Sequence, residues 1–277
     1  MVENLKNKNM NKTTIAIIGA GNLGMAIIKG LLSSSLKKDI QIIATKRKLP
    51  EKQLFNADNL YFTKDNGEAV QKADVVIFSV QPDQFQTIVS DIKPYLKHQV
   101  LISTITGLTL EALQNTLGKE SRIVRSMPNT AIAVSQSMTC LSYTGDDESI
   151  QMAETIFNTL GKTLIIEDEL MQAATVLGAS GIAFWMRLIR ATTQGGIQLG
   201  FDADEAKAIA VQTCLGAASI LAENNHAHPE NEIDKVTTPK GCTIRGLNEM
   251  EYRGLSSALI RGLTASYEMI SQIKEKM

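Results

Sequence analysis

Two stretches of this chain hold residue types at spacings that can do chemistry. The first is Gly19-Ala20-Gly21-Asn22-Leu23-Gly24. A short apolar, β-branched run (residues 14–18) leads into it, and a helical apolar pattern (Met25, Ala26, Ile27, Ile28, Leu31, Leu32) leads out. Strand, glycine turn and helix in succession present free N–H groups at the positive end of a helix, where phosphate binds. Gly19 allows the tight turn, Gly21 lets backbone approach a pyrophosphate, and Gly24 lets the helix pack close to the strand. The glycine spacing alone is a weak signal. The strand before it and the helix after it turn it into an expectation of dinucleotide binding.

The second stretch is Thr237-Thr238-Pro239-Lys240-Gly241-Cys242-Thr243. Proline disfavours helix at the residue before it, so a helix ends here. Lys240-Gly241 makes a turn, and Cys242-Thr243-Ile244 opens a new helix with apolar positions at Ile244, Leu247 and Met250. The N–H groups of Gly241, Cys242 and Thr243 then point out of a helix start, a site for an anion such as a carboxylate. The Thr243 hydroxyl either adds a hydrogen bond there or caps the helix, and one turn can do both.

A third set bears on which dinucleotide. The second strand, residues 40–44, runs into Thr45-Lys46-Arg47-Lys48. A sheet that prefers NAD carries an acid at this point, about 20 residues past the glycines. A hydroxyl followed by three cations suits a 2′-phosphate instead, with Thr45 hydrogen-bonding and Lys46 or Arg47 supplying charge. NADPH is therefore the expected cofactor, with NADH as the lesser one.

Other chemistries are excluded on composition. Net charge is −1, which offers no footprint for nucleic acid. No apolar run approaches the ~20 residues of a membrane span. Residues 1–12 are polar, with no apolar core for a signal peptide, and read as a disordered tail. Cys140, Cys214 and Cys242 are widely spaced and odd in number, and the three histidines have no ligand-like spacing. No metal site is expected, and a reducing, cytoplasmic compartment is.

The elements that must position these residues fall into two groups. After the first strand and helix come strands at 40–44 and 60–62, a short helix at 66–72, and a strand at 74–80. Gln81-Pro82 leaves that strand in an extended turn. A helix at 85–96, a strand at 100–104, a helix at 110–117 and a strand at 122–125 follow. Then Pro128-Asn129 makes a turn, residues 138–143 and 163–166 are strands, and 147–160 is a helix. Residues 13–166 thus read as one αβ-alternating Rossmann domain. From 167 to 277 no strand is expected. Residues 170–199 are helical in pattern but apolar nearly all round, and a helix apolar on every side must be buried on every side. Residues 202–205 cap a helix to about 223, 230–235 is a short helix, and 246–271 is a long one interrupted near Gly254. An all-helical domain of this kind is expected to dimerise.

Taken together, IGAGNLG, a strand ending in SVQPDQ, RSMPNT and VTTPKGCTIRGLNEME resemble the pyrroline-5-carboxylate reductase family over nearly the whole chain. The last stretch is the most specific. The resemblance implies NAD(P)H-dependent reduction of 1-pyrroline-5-carboxylate to L-proline. It also implies a homodimer interlocked through the C-terminal helices, with a decamer as a further assembly. Carried over from the family, Asn66, Val80, Gln81, Pro82, Pro128 and Asn129 line the cofactor site, and Ser180 and Gly181 lie near the substrate with Thr238, Gly241, Cys242 and Thr243. A cyclic imine is easily protonated, so such an enzyme needs positioning more than a strong acid. Thr243 is the expected catalytic residue, hydrogen-bonding the ring nitrogen. The sequence departs from the family pattern at Gln81 (usually Lys), Lys240 (usually Gly), Ile182 and Phe184 (usually Pro and Tyr), and Arg190 (frequently acidic).

Two competing readings remain on the sequence. A β-hydroxyacid dehydrogenase shares the architecture but wants a lysine acid/base on the long central helix, and residues 170–200 contain none. An NADP-binding regulatory oligomer without turnover would fit the departures, but Thr243 and Gly241 are retained.

Overall fold

The computed structural model describes residues 12–49, 57–224 and 226–275. The expected tail lies, apart from Lys12, outside them. The chain divides into two compact units. One runs to Ser180 and takes back the chain from Tyr267, and the other is Gly181–Ser266.

In the first unit the glycine motif joins β1 (Thr13–Ile18) to α1 (Asn22–Ser33). Then come β2 (Ile40–Thr45), β3 (Leu60–Thr63), α2 (Asn66–Gln71), β4 (Val75–Phe78), α3 (Pro82–Ile92), β5 (Val100–Ser103), α4 (Leu110–Leu117) and β6 (Arg122–Met127). β7 (Ser137–Thr144), α5 (Asp147–Asn158) and β8 (Gly161–Ile165) complete the sheet. Its order is β3-β2-β1-β4-β5-β6-β7-β8. The first six strands pair in parallel, in the order of a dinucleotide-binding sheet.

The period-two alternation of β1 builds both faces. Ile15 and Ile17 pack with Ile27, Ile28 and Leu31 of α1 and with Ile156 and Phe157 of α5. Ala16 and Ile18 face the other way, into Phe85, Val89 and Ile92 of α3 and Leu113 of α4. Phe78 at the end of β4 meets Phe85 edge to face at 5.4 Å, which fixes α3 over the strand end.

The sequence pattern leaves the direction of β7 open, and one helix start is corrected. β7 is antiparallel to β6, with Met127 opposite Cys140, and parallel to β8. The link 128–136 is shorter than the dozen or so residues of a parallel crossover, so the chain turns straight back, through a left-handed Ser135 (φ 55°). The helix expected from 85 starts instead at Pro82, with Gln81 as its extended N-cap. Proline serves well as the first helical residue, because the N–H it lacks would have no partner there.

Past β8 the chain stays with the first unit for one more segment. α6 (Met171–Ala174) runs into a π-helical turn, Thr175–Ser180. Met171 is fully buried against Met127 and Cys140. Asp168 pairs with Arg125 and accepts the Ser142 hydroxyl at 2.9 Å. The stretch expected to be helical over 170–199 is helical from Met171 to Gln198, with the π turn inside it.

The second unit holds α7 (Gly181–Gln198), α8 (Ala203–Glu223), α9 (Pro229–Val236), α10 (Cys242–Tyr252) and the start of α11 (Leu255–Glu275). Asp202 caps α8 by accepting the N–H groups of Asp204 and Glu205. α7 and α8 close on each other at Gly196, where a Cβ would come within 2.9 Å of the Ala206 Cβ. Gly254 (φ 79°) makes the break between α10 and α11 that the sequence places there. Among the described residues no helix is long and apolar enough to cross a membrane, and no group of three or more His, Cys, Asp or Glu could hold a metal ion.

Candidate functional site: a dinucleotide cleft and an uncapped helix start

A cleft of about 710 Å³ opens at the carboxyl ends of β1, β2, β3 and β4. It is lined by Ile18 to Gly21, Thr45 to Lys48, Lys64, Asn66, Ser79 to Gln81, Asp83, Gln84, Thr87 and Ile88. Each strand leaves the sheet here, so each contributes its first loop residues. This is the edge where doubly wound sheets bind ligands.

The glycine loop is braced from β2. Gly19 sits at φ 96°, its N–H donates to Thr45 Oγ1 at 3.1 Å, and the Ala20 N–H donates to the Thr45 carbonyl at 2.8 Å. A Cβ on Gly19 would lie 2.5 Å from the Ser79 carbonyl oxygen, and one on Gly24 would strike the Gly19 carbonyl. A Cβ on Gly21 would meet nothing within 4 Å. Gly21 therefore faces open space, as a residue must if backbone is to touch a ligand. No side chain caps α1, which leaves its first N–H groups for an acceptor from outside the protein. These residues fit a pyrophosphate.

Thr45 is nearly fully buried. Its oxygen serves the glycine loop, which leaves its proton for another acceptor. Lys46 is half-buried, while Arg47, Lys48 and Lys64 are exposed. Among the described residues none of these four cations makes an ion pair. Asn66 opens α2, whose N-cap is Asp65. Glu68 in that helix is tied up by Lys72 at 2.8 Å and by the Thr63 hydroxyl at 2.9 Å. The Lys72 hydrogen bond, then the Thr63 one, hold its carboxyl below the usual range.

Not every expected cofactor residue reaches the cleft. Asn22, Leu23 and Gly24 form the first turn of α1 rather than the lining, and Pro82 opens α3. Pro128 is buried, and Asn129 is engaged elsewhere. The Asn129 N–H donates to Ser137 Oγ, its Oδ1 accepts the Ala131 N–H, and its Nδ2 donates to the Gly178 carbonyl at 3.1 Å. Asn129 thus ties the end of β6 to the π turn.

Lys64, Ser79, Asp83, Gln84, Thr87 and Ile88 were missed by the sequence reading. Asp83, Gln84, Thr87 and Ile88 share one face of α3, at helical spacing. That face was legible only with the helix begun at Pro82. Lys64 needed the β2–β3 register.

The second group lies in the other compact unit. α9 ends at Val236, and Thr237 caps it by donating its N–H to the Asp234 carbonyl. The Gly241 N–H, expected to point out of the helix start, instead closes the turn onto the Thr238 carbonyl at 2.9 Å, which leaves the N–H groups of Cys242 and Thr243 as the outward donors. Gly241 is the extended N-cap of α10, and no side chain caps that helix. Thr243 is exposed, and its hydroxyl makes no capping bond, so of the two roles read for it, capping is the one the structure lacks. A Cβ on Gly241 would lie 2.5 Å from Thr238 Oγ1 and 2.9 Å from the Thr238 carbonyl. Lys240 sits at φ 61°, in the left-handed region where glycine is at ease. Ser180 ends the π turn and Gly181, buried, opens α7. A π turn inside a helix is a frequent mark of a functional position.

Comparison with known proteins agrees with both halves. Residues 168–273 match the family model described as pyrroline-5-carboxylate reductase dimerisation, and residues 14–107 match NADP oxidoreductase, coenzyme F420-dependent. Pyrroline-5-carboxylate reductase 2 of Dictyostelium discoideum is 39% identical, over 95% of this chain and 93% of its own length. Pyrroline-5-carboxylate reductase 1 of the same organism is 42% identical over 94% of this chain, but the chain spans about half (49%) of that relative's length. Among solved structures, Plasmodium falciparum pyrroline carboxylate reductase with NADP bound superposes with a TM-score of 0.87 at 22% identity, over 96% of this chain and all of that one (100%). The structural likeness shows the fold, and with 39% identity over nearly the full length of both proteins the chain belongs to the pyrroline-5-carboxylate reductase family.

Proposed function

We propose that this protein reduces 1-pyrroline-5-carboxylate to L-proline with NADPH, and less well with NADH. The reading is supported most directly by the uncapped helix start at Gly241, in a chain that is 39% identical to a named reductase over nearly all of both. Reduced nicotinamide, when bound, supplies the hydride that the C=N carbon accepts. The N–H groups of Cys242 and Thr243 hold the substrate carboxylate, while Gly241, its own N–H spent on the Thr238 carbonyl, fixes the turn that presents them. The Thr243 hydroxyl hydrogen-bonds the ring nitrogen and passes a proton toward it. Ser180 and Gly181 flank the ring. Gly19, Ala20 and Gly21 with the start of α1 hold the pyrophosphate, and Thr45, Lys46 and Arg47 hold the 2′-phosphate. Asn66, Val80 and Gln81 line the remaining cofactor surface, with Pro82, Pro128 and Asn129 fixing the turns behind it.

A five-membered imine acid is small and already reactive, so orientation supplies most of the acceleration. That matches a site whose polar groups are backbone N–H donors and one hydroxyl. The helices of the second unit pair two copies into a homodimer, with a decamer as the higher assembly. Cytoplasmic residence is supported by the free state of Cys140, Cys214 and Cys242.

The test is Thr243→Ala. Losing one hydrogen bond made to the reacting ring is expected to lower kcat/KM for the imine by about tenfold. NADPH binding, followed by nicotinamide fluorescence, is expected to stay the same. Unchanged turnover would remove Thr243 from the mechanism.

A further inference from the structure

The loop cations after β2 are the ones the sequence points to, but the register of the sheet adds another. β2 and β3 are parallel, with Thr45 paired to Thr63. The Lys46 N–H donates to the Thr63 carbonyl at 3.1 Å, one step past the strand ends. Lys46 and Lys64 are therefore the first residues off two adjacent strands, with backbones about 5 Å apart. Both line the cleft, with Arg47 and Lys48 beside them.

The turn that carries Lys64 is fixed. Thr63 Oγ1 accepts the Asp65 N–H at 3.1 Å and donates to Glu68 at 2.9 Å, while Asp65 accepts the Glu68 N–H at 3.0 Å. The two acids nearest in sequence are thereby committed, Asp65 to capping α2 and Glu68 to Lys72 at 2.8 Å. Asp83, the acid in the lining, follows β4, which β1 separates from β2 in the sheet. Lys64 is left without an ion pair among the described residues. Adjacent unpaired cations repel, and a doubly charged anion between them relieves that repulsion.

We propose that Lys64 is a specificity-determining residue, which with Lys46 grips the phosphate on the 2′ position of the adenosine ribose and so selects NADPH over NADH. The proposal rests on the reading of this cleft as the cofactor site. It adds a contact from β3 to the loop contacts from β2. A phosphate held from two strands is positioned by the sheet itself, whereas one held by a single loop moves with that loop.

The experiment is a titration of NADPH and of NADH, followed by nicotinamide fluorescence with no imine present, on the wild type, Lys64→Met and Lys64→Arg. Lys64→Met is expected to weaken NADPH by about tenfold and to leave NADH within about twofold, with Lys64→Arg keeping the preference. Added salt is expected to narrow the gap between wild type and Lys64→Met. Equal weakening of both nucleotides, no change in either, or a wild type that does not distinguish them would each overturn the assignment. If the preference behaves as stated and the imine is not turned over, Lys64 stands and the proposed reaction falls. If the imine is turned over and Lys64→Met leaves the preference intact, Lys64 alone falls.

Discussion

Lys240 keeps a lysine side chain at φ 61°, a conformation that costs an L-residue about 1–2 kcal/mol. The cost stays small because one residue, not a run, adopts it, and because the Gly241 N–H to Thr238 bond closes the turn around it. Lys240→Gly removes the steric cost but adds freedom to the unfolded chain. The expected net is a gain of roughly 0.5 kcal/mol, read as a higher urea midpoint. A lysine beside the carboxylate site also adds charge there, so the same variant is expected to raise KM for the imine severalfold with kcat little changed. A variant that loses stability would mean that the side chain makes a contact outweighing its backbone strain. At this scale the sequence was most informative where a residue type has one physical use. Gly19 and Gly24 were legible because a Cβ fits at neither. Lys64 was not, since a lysine after a strand is usually just solvated, and only the pairing of Thr45 with Thr63 sets it beside Lys46.

Between elements, the feature that joins most of them is the Arg125–Asp168 pair. Arg125 of β6 is 6% exposed. Its partner also accepts the Ser142 hydroxyl of β7 at 2.9 Å and the Leu110 N–H, the first residue of α4, at 3.2 Å. One carboxylate thus serves two strands and a helix start. Asp168→Ala leaves a buried guanidinium without its ion-pair partner, an arrangement that costs about 3 kcal/mol or more. Denaturant unfolding is the measurement, and a loss below about 1 kcal/mol would show that water replaces the carboxylate. NADPH binding is expected to survive, since neither residue lines the dinucleotide cleft. The elements themselves were largely readable. Short apolar runs at β1 and β4 and the helical period after Gly24 placed the first unit's strands and helices within a few residues. Strand direction was not readable, because a hydrophobic run looks the same either way. The short link to β7 carried that information instead. The sequence pattern starts α3 late, because Pro82 both ends an extended turn and begins the helix.

At the scale of the molecule, the two units differ in how far they bury themselves. The sheet unit has a full core on both faces. In the helical unit Trp185 is 57% exposed, Leu199 84% and Ile260 62%, while Ala206 and Ala210 are its buried apolar side chains among the described residues. Apolar surface on that scale calls for a protein partner, and the family model that matches residues 168–273 is described by dimerisation. Light scattering is expected to give the mass of a dimer or a multiple of it. Trp185, the single tryptophan of the chain, is expected to emit as a buried indole. A monomer with red-shifted emission would contradict the pairing. The all-round apolar pattern that led to this expectation was plain in the sequence, since burial on every side needs no structure to argue. The division of the chain was less plain. The strand pattern stops at 166, but Met171 and Asp168 still pack against the sheet, so the compact units part at Ser180.

The measurement that bears most directly on the account is NADPH oxidation by the wild-type protein with 1-pyrroline-5-carboxylate, run beside NADH and beside a six-membered imine acid. The account predicts rapid turnover of the five-membered ring, faster with NADPH than with NADH, and slower turnover of the larger ring. Tight NADPH binding with no turnover of either ring would contradict it.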